Sequence, residues 1–264
     1  MKRIPYWHVD AFSAKPFGGN QAAVMVLDEW LSDETLQSIG EENNFAETAF
    51  VVRDASGAAD WELRWFTPTD EVELCGHATL ASGHALLSRD GGERVVFRTR
   101  KGDSLEVRRK GEEYELALPA TWMEPRDLPE LTAALGAHGE AYHSCKGAQQ
   151  TAIVLMQDEA QVRALAPDME ALRGIDLMAI CTAPGETCDI VSRVFVPAWG
   201  VDEDSVTGSA HAALATFWAE RLGRNTMSAH QASARGGDLT LRLEGERAWL
   251  GGPCVTVVEG VFVL

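Results

Sequence analysis

Cys75-Gly76-His77-Ala78-Thr79-Leu80-Ala81 lies over Thr207-Gly208-Ser209-Ala210-His211-Ala212-Ala213 at an offset of 208 minus 76, or 132 residues, which is half of this 264-residue chain. Each stretch opens a run of Ala, Leu and His with few charges before its end, the pattern of a helix buried on all sides. Other matches occur in the same order. Gly18-Gly19-Asn20-Gln21-Ala22-Ala23-Val24 resembles Gly147-Ala148-Gln149-Gln150-Thr151-Ala152-Ile153, and Arg64-Trp65-Phe66-Thr67-Pro68 resembles Arg193-Val194-Phe195-Val196-Pro197, both at 147 minus 18, or 129. Leu105-Glu106-Val107-Arg108 with Gly111 matches Leu239-Thr240-Leu241-Arg242 with Gly245, at 239 minus 105, or 134. Ordered matches at nearly constant spacing mark an internal duplication.

Each half reads as strands, an exposed helix, more strands, a long small-residue helix and a last run of strands. Segments 6–12, 22–27, 48–52 and 61–66 are β-branched or aromatic runs bounded by Gly, Pro and Asp, and are expected as strands. Ser32 precedes Asp33 and Glu34 and then Leu36 and Ile39, which predicts an N-capped helix to about Asn43. Segments 77–88 and 209–222 are the expected buried helices. Alternating strands follow each, at 104–108 with 114–118 and at 239–243 with 248–250. The fold class is therefore α+β, with two pseudosymmetric halves, each a sheet wrapped round a central helix. The three prolines of 119–129 set the expected boundary, giving halves of 1–120 and 121–264.

The chain carries 40 Asp and Glu against 23 Lys and Arg, a formal charge of −17. That surface repels phosphate backbones and anionic membranes, so neither nucleic acid nor membrane is an expected partner. An anionic small molecule would need local donors in a cleft. No apolar run reaches membrane-spanning length and no secretory segment is recognised at the start, so cytoplasmic residence is expected. The five cysteines, at 75, 145, 181, 188 and 254, include no Cys-x-x-Cys pair, which argues against a disulfide framework or structural zinc.

Both expected central helices begin at a Gly-containing turn. A helix start presents backbone N–H groups and about half a positive charge, so each is an anion-binding end. Gly76 and His77 on one side and Gly208 and Ser209 on the other are expected to converge on a small carboxylate. The alternative is that both glycines only relieve crowding where strand turns into helix.

Five segments carry a family resemblance: Val9-Asp10-Ala11-Phe12 with Pro16-Phe17-Gly18-Gly19-Asn20; Phe45-Ala46-Glu47-Thr48-Ala49-Phe50; Phe66-Thr67-Pro68; Cys75-Gly76-His77-Ala78-Thr79; and 202–211, Asp-Glu-Asp-Ser-Val-Thr-Gly-Ser-Ala-His. With these the chain resembles the PhzF-like, or phenazine biosynthesis-like, isomerases. The resemblance implies the diaminopimelate epimerase-like fold and a cofactor-independent site between the halves. By matching motif it implies that Glu47 is the general acid/base, with His77 and Asp204 as further catalytic groups. Asn20, Gly76, Gly208 and Ser209 are implied in binding the substrate, a small carboxylate-bearing molecule. Ser205 stands where the family more often has proline. A homodimer is a further expectation.

Proton migration beside a carboxylate needs one group that removes and returns a proton, and donors for the developing charge. Phe45 and Phe50 are expected to desolvate Glu47 for that task. No metal is expected, because His77 and His84 lack an i+4 ligand or a carboxylate visible nearby. In the related epimerases two cysteines, one at each central helix, act as opposed bases. Cys75 fills the first position, but Thr207 fills the second and is too weak an acid to replace a thiolate, so the two-thiol mechanism is broken. A Cys75–His77 hydrolase is disfavoured because residues two apart at a helix start point in different directions. Asp176, the match to Glu47 at offset 129, is read as scaffold. A ligand-binding protein without turnover is the non-enzymatic alternative.

Overall fold

The first repeat runs β1 (Arg3–Ala11), β2 (Asn20–Leu27), α1 (Asp33–Asn43), β3 (Glu47–Arg53), β4 (Trp61–Phe66), β5 (Glu71–Val72), α2 (Gly76–Asp90), β6 (Arg94–Thr99), β7 (Ser104–Lys110) and β8 (Glu113–Pro119). The second runs β9 (Met123–Pro125), α3 (Pro129–Leu135), β10 (Glu140–Ser144), β11 (Thr151–Leu155), α4 (Glu159–Ala164), α5 (Met169–Arg173), β12 (Met178–Pro184), β13 (Ile190–Val196), β14 (Val201–Asp204), α6 (Gly208–Leu222), β15 (Thr226–Gln231), β16 (Gly237–Glu244) and β17 (Arg247–Val263). This is a computed structural model describing residues 1–144 and 150–264. The Gly147-Ala148-Gln149 part of the repeat, and Cys145, lie outside the described residues.

Two units form, Met1–Ala117 with Gly251–Leu264, and Leu118–Leu250. The sequence expectation carries the second half to residue 264. Instead, Cys254–Val263 of β17 pairs antiparallel with β1, so the chain's last segment belongs with the first unit. That pairing covers the edge β1 would otherwise expose.

In the first unit the neighbour order is β17, β1, β2, β3, β4, β6, β7, β8, with β5 on β4. The β2–β3 and β4–β6 pairs are parallel, which requires the crossovers that α1 and α2 supply. Helix α2 packs on β1, β2, β3, β6 and β7, so the sheet wraps round it. Eleven of its residues are buried. Gly83 is among them for a steric reason, since a Cβ there would meet Val107 Cγ1 at 2.4 Å.

The second unit repeats the pairing signs. β10–β11 is antiparallel, β11–β12 parallel, β12–β13 antiparallel, β13–β15 parallel and β15–β16 antiparallel, with β14 antiparallel on β13. Helix α6 takes the place of α2, with Ala212–Ala215 nearly inaccessible. Side chains repeat as well. Arg64 makes a paired contact with Glu71 across β4–β5 at 2.7 and 2.8 Å and lies over Phe66, while Arg193 does the same with Glu203 at 2.8 and 2.9 Å and lies over Phe195. The matched glycines, Gly111 at φ 66° and Gly245 at φ 59°, both turn a hairpin in the left-handed region that glycine tolerates.

Helix α1 begins where expected, with Ser32 Oγ accepting from the Thr35 N–H at 3.3 Å, and ends on Asn44 in the left-handed conformation. Leu36 and Ile39 lock it onto a core of Ile4, Met25, Phe50 and Phe66. Strand alternation therefore sends even-numbered residues of β3 toward α1 and odd-numbered ones, Glu47 included, toward α2.

Candidate active site

The start of α2 gathers the site residues of the first unit. β2 and β3 lie in parallel register with Ala22 opposite Glu47, and Asn20 points to the same face two residues earlier on its strand. His77, in the first turn of α2 and 4% exposed, meets both. Its Nε2 lies 2.9 Å from Glu47 Oε2, and its Nδ1 lies 3.1 Å from Asn20 Nδ2. The N–H is not aimed along the first of these contacts, so Oε2 is buried without an aligned hydrogen bond. The Asn20 amide donates to Nδ1 of the neutral imidazole. Turned over, its Oδ1 accepts from the imidazolium, so Asn20 suits either protonation state.

The loop that delivers Asn20 is built by its motif. The buried Asp10 carboxylate accepts from the Phe17 N–H at 2.8 Å. Gly19 sits at φ 63°, and a Cβ there would meet Ala11 O at 2.1 Å, which leaves room for glycine alone. Phe45 stacks on His8 with ring centroids 4.3 Å apart. Phe50 does not flank Glu47 as expected. Three residues along the strand, it occupies the opposite face and packs in the core under α1.

Cys75 also belongs to the cluster, with Sγ 3.6 Å from His77 Nδ1. This corrects the expectation that the two side chains diverge. Cys75 is the extended residue before the helix, at φ −140° and ψ 113°, and not a helical one, so helical side-chain spacing does not apply. Burial, and then the Glu47 charge, push its thiol up to about 11. At that value it is a neutral thiol in the neutral pH range. Burial opposes charge on His77 most, but the Cys75 sulfur and then the Glu47 carboxylate outweigh it and hold the imidazole well above its ordinary value. Because the thiol is uncharged there, the Glu47 carboxylate is the anion responsible.

The second unit gathers Asp204, Gly208 and Ser209 round the start of α6. Asp204 Oδ2 accepts from Thr207 Oγ1 at 2.6 Å. Gln231, fully buried at the end of β15, completes the brace: its Oε1 accepts from the Thr207 N–H at 2.9 Å and its Nε2 donates to the Asp204 carbonyl at 2.7 Å. Ser233 adds a bond to the Ser205 carbonyl at 2.7 Å. These contacts brace the turn that contains Ser205. Sequence reading missed Gln231, which follows no local motif and lies 24 residues from the turn it holds.

Residues before α1, α4 and α5 cap their helices with side chains, whereas Cys75 and Thr207 place no side-chain cap on α2 and α6. The two central helices thus keep the electropositive ends that a bound anion could use.

Strand register also identifies the true counterpart of Glu47. Thr151, the match of Ala22, lies opposite Met178, and Ala179 faces Phe195 as Thr48 faces Phe66. Met178 is therefore the equivalent residue, and not Asp176, which accepts from the Trp199 indole at 2.7 Å near the surface. Met178 Sδ touches Ser209 Oγ at 3.9 Å, repeating in muted form the Glu47–His77 contact. His84 does not join His77. It bonds Thr256 Oγ1 at 2.9 Å, and burial, then Arg109, lower it to about 4.

Comparison with known proteins gives the family and the fold. The sequence profile of the family described as phenazine biosynthesis-like protein matches residues 9–260. An uncharacterised isomerase of Pseudomonas aeruginosa is 46% identical over 266 residues, covering 98% of each chain. A crystal structure of a phenazine biosynthesis protein of the PhzF family from Enterococcus faecalis superposes with a TM-score of 0.90 at 41% identity over all of both chains. A hydroxyproline epimerase of Agrobacterium vitis, at 12% identity and a TM-score of 0.63 over 98% of this chain and 92% of its own, shares the fold. The chain belongs to the phenazine biosynthesis-like (PhzF) family and is an isomerase with the epimerase-like α+β fold.

Proposed function

We propose that this isomerase moves a proton on a small carboxylate-bearing metabolite without a cofactor, with Glu47 as the general acid/base. The observation that carries this reading is the 2.9 Å contact between Glu47 Oε2 and His77 Nε2 at the uncapped start of α2. Glu47 accepts a carbon-bound proton. Doing so cancels the charge that supports the His77 imidazolium, so His77 becomes a stronger acid as the carbanion forms. Glu47 then returns its proton to a different carbon. Asn20 and Gly76 at the start of α2, and Gly208 and Ser209 at the start of α6, are the proposed substrate-binding residues, each helix start offering N–H groups to an anion, with Asp204 fixing the second turn.

Solvent deuterium incorporation tests the reading. Candidate cyclic and amino-acid carboxylates are incubated with the protein in D2O and followed by NMR. An isomerase exchanges a carbon-bound hydrogen, whereas a binding protein without turnover does not. Glu47→Gln removes the titratable group at constant size and should abolish exchange while keeping ligand affinity within about tenfold, or about 1.4 kcal/mol. Exchange that persists in Glu47→Gln and vanishes in Cys75→Ser would transfer the chemistry to the thiol.

A further inference from the structure

Three side chains at the start of α2 carry the donor types of a soft-metal site. A carboxylate oxygen, an imidazole nitrogen and a sulfur, from Glu47, His77 and Cys75, all lie within 4.8 Å of one another. Sequence reading set metal aside because no carboxylate was visible near His77. The fold supplies one from β3 and adds the sulfur from the residue preceding the helix. We propose that Glu47, Cys75 and His77 form a binding site for a single soft divalent cation such as zinc, which blocks the proton chemistry of the same groups.

The distances fit with small adjustment. His77 Nε2 stands 2.9 Å from Glu47 Oε2 and 4.0 Å from Cys75 Sγ. Tetrahedral zinc with bonds of about 2.0–2.3 Å separates such donors by about 3.3–3.6 Å, so the carboxylate moves away from the imidazole and the sulfur closer to it by about half an ångström each, while the carboxylate and sulfur, within 4.8 Å, close by up to about an ångström. Glu47 Oε2 is already buried and lacks an aligned hydrogen bond that would have to be given up. Ligation through Nε2 leaves a proton on Nδ1, and the Asn20 amide beside it, turned to present Oδ1, accepts that proton as the outer partner a metal-bound imidazole needs. The thiol and the Nε2–H of the imidazolium each release a proton to solvent as their bonds to the metal form, so two protons leave per cation bound and no oxidant or reductant is consumed. Three protein donors leave the fourth position to water. The cation is thus an inhibitor occupying the site, and only this last point rests on the isomerase reading above.

The test titrates the full-length protein with Zn2+ alone by calorimetry and with Co2+ by absorption spectroscopy. The expected result is one equivalent bound, with a thiolate-to-cobalt charge-transfer band. Cys75→Ser abolishes the band and weakens binding at least tenfold, Asn20→Ala weakens it about tenfold or more, and His84→Gln leaves it unchanged. Failure to bind one equivalent, or binding that survives both Cys75→Ser and His77→Gln, overturns the site. Should those variants fold poorly, imidazole nitrogen NMR of the wild type with Cd2+ decides, since His77 signals that do not move on cadmium addition also overturn it. If the cation binds as described yet hydrogen exchange continues with zinc in place, the site stands and the role given to Glu47 fails.

Discussion

Replacing Glu47 by Gln should reverse the direction in which the protein shifts His77, and this needs no knowledge of the substrate. Two unit charges 2.9 Å apart attract by about 6 kcal/mol at an effective dielectric constant of about 20. Removing an imidazolium from water costs several kcal/mol, of the same order and opposite sign. In the wild type the carboxylate prevails and His77 lies well above its ordinary value. The amide of Gln carries no charge, the Cys75 thiol is protonated in the neutral range, and burial is left to act alone. His77 should then fall below about 6.5, the ordinary histidine value. The stability linkage changes sign with it. A raised value contributes stability that is complete below the unfolded value and is lost as pH rises through the folded one, whereas a lowered value contributes stability above the unfolded value and loses it on acidification. Imidazole nitrogen shifts followed against pH in both proteins report the change directly. If His77 in Glu47→Gln still titrates above its ordinary value, the carboxylate is not what holds the imidazolium, and the coupled pair is the wrong description of this site.

Cys75→Ser should keep hydrogen exchange within about threefold of wild type, because a thiol raised to about 11 supplies no thiolate base at neutral pH; loss of exchange with the fold intact would contradict this. His211 is fully buried, donates Nδ1–H to the Thr207 carbonyl at 2.8 Å, and is lowered by burial to about 4. Its folded value lies below the unfolded one, so it costs stability as pH falls from about 6.5 toward 4, on the order of 3 kcal/mol. Urea unfolding across that range, with His211→Gln losing markedly less, measures the share. Gln231→Leu strips the partners from the Thr207 N–H and the Asp204 carbonyl and should cost about 2–3 kcal/mol, read as a shift in urea midpoint. EDTA should leave hydrogen exchange unchanged, since every step assigned here uses protein groups; loss of exchange that one added metal restores would count against it.

The duplicated helix starts were legible because they are short, contiguous and rich in small residues that only a wrapped helix requires. Ser32 likewise announced α1, since capping is a contact over three residues. Contacts that depend on sheet register were not legible. Offset arithmetic along the chain paired Glu47 with Asp176, but the second repeat carries two extra residues between β11 and β12, and only hydrogen-bonded register shows Met178 to be the partner. Phe50 was misplaced for a related reason. Nearness in sequence suggested a flank to Glu47, and the pleat sends it to the other face. Cys75 reaches His77 because it precedes the helix in extended backbone, a one-residue distinction that composition does not encode. Gln231 was invisible because its role is set wholly by where β15 ends.

The repeats preserve what builds the scaffold and diverge where protons would move. Both keep the Arg–Glu pair across the hairpin, the aromatic ring beneath the Arg, the left-handed glycine turns and an uncapped buried helix. At the helix starts, Cys75, His77 and Glu47 of the first repeat correspond to Thr207, Ser209 and Met178 of the second. Every titratable group there has been exchanged for one that does not ionise near neutral pH. The carboxylate that does remain in the second cluster, Asp204, accepts from the Thr207 hydroxyl and fixes a turn. On the proposal that Glu47 moves the proton, the group that takes it is also the group that returns it. Such a single-base shuttle favours moving hydrogen between neighbouring carbons on one face of the substrate, and it is a reason to screen for positional isomerisation ahead of racemisation.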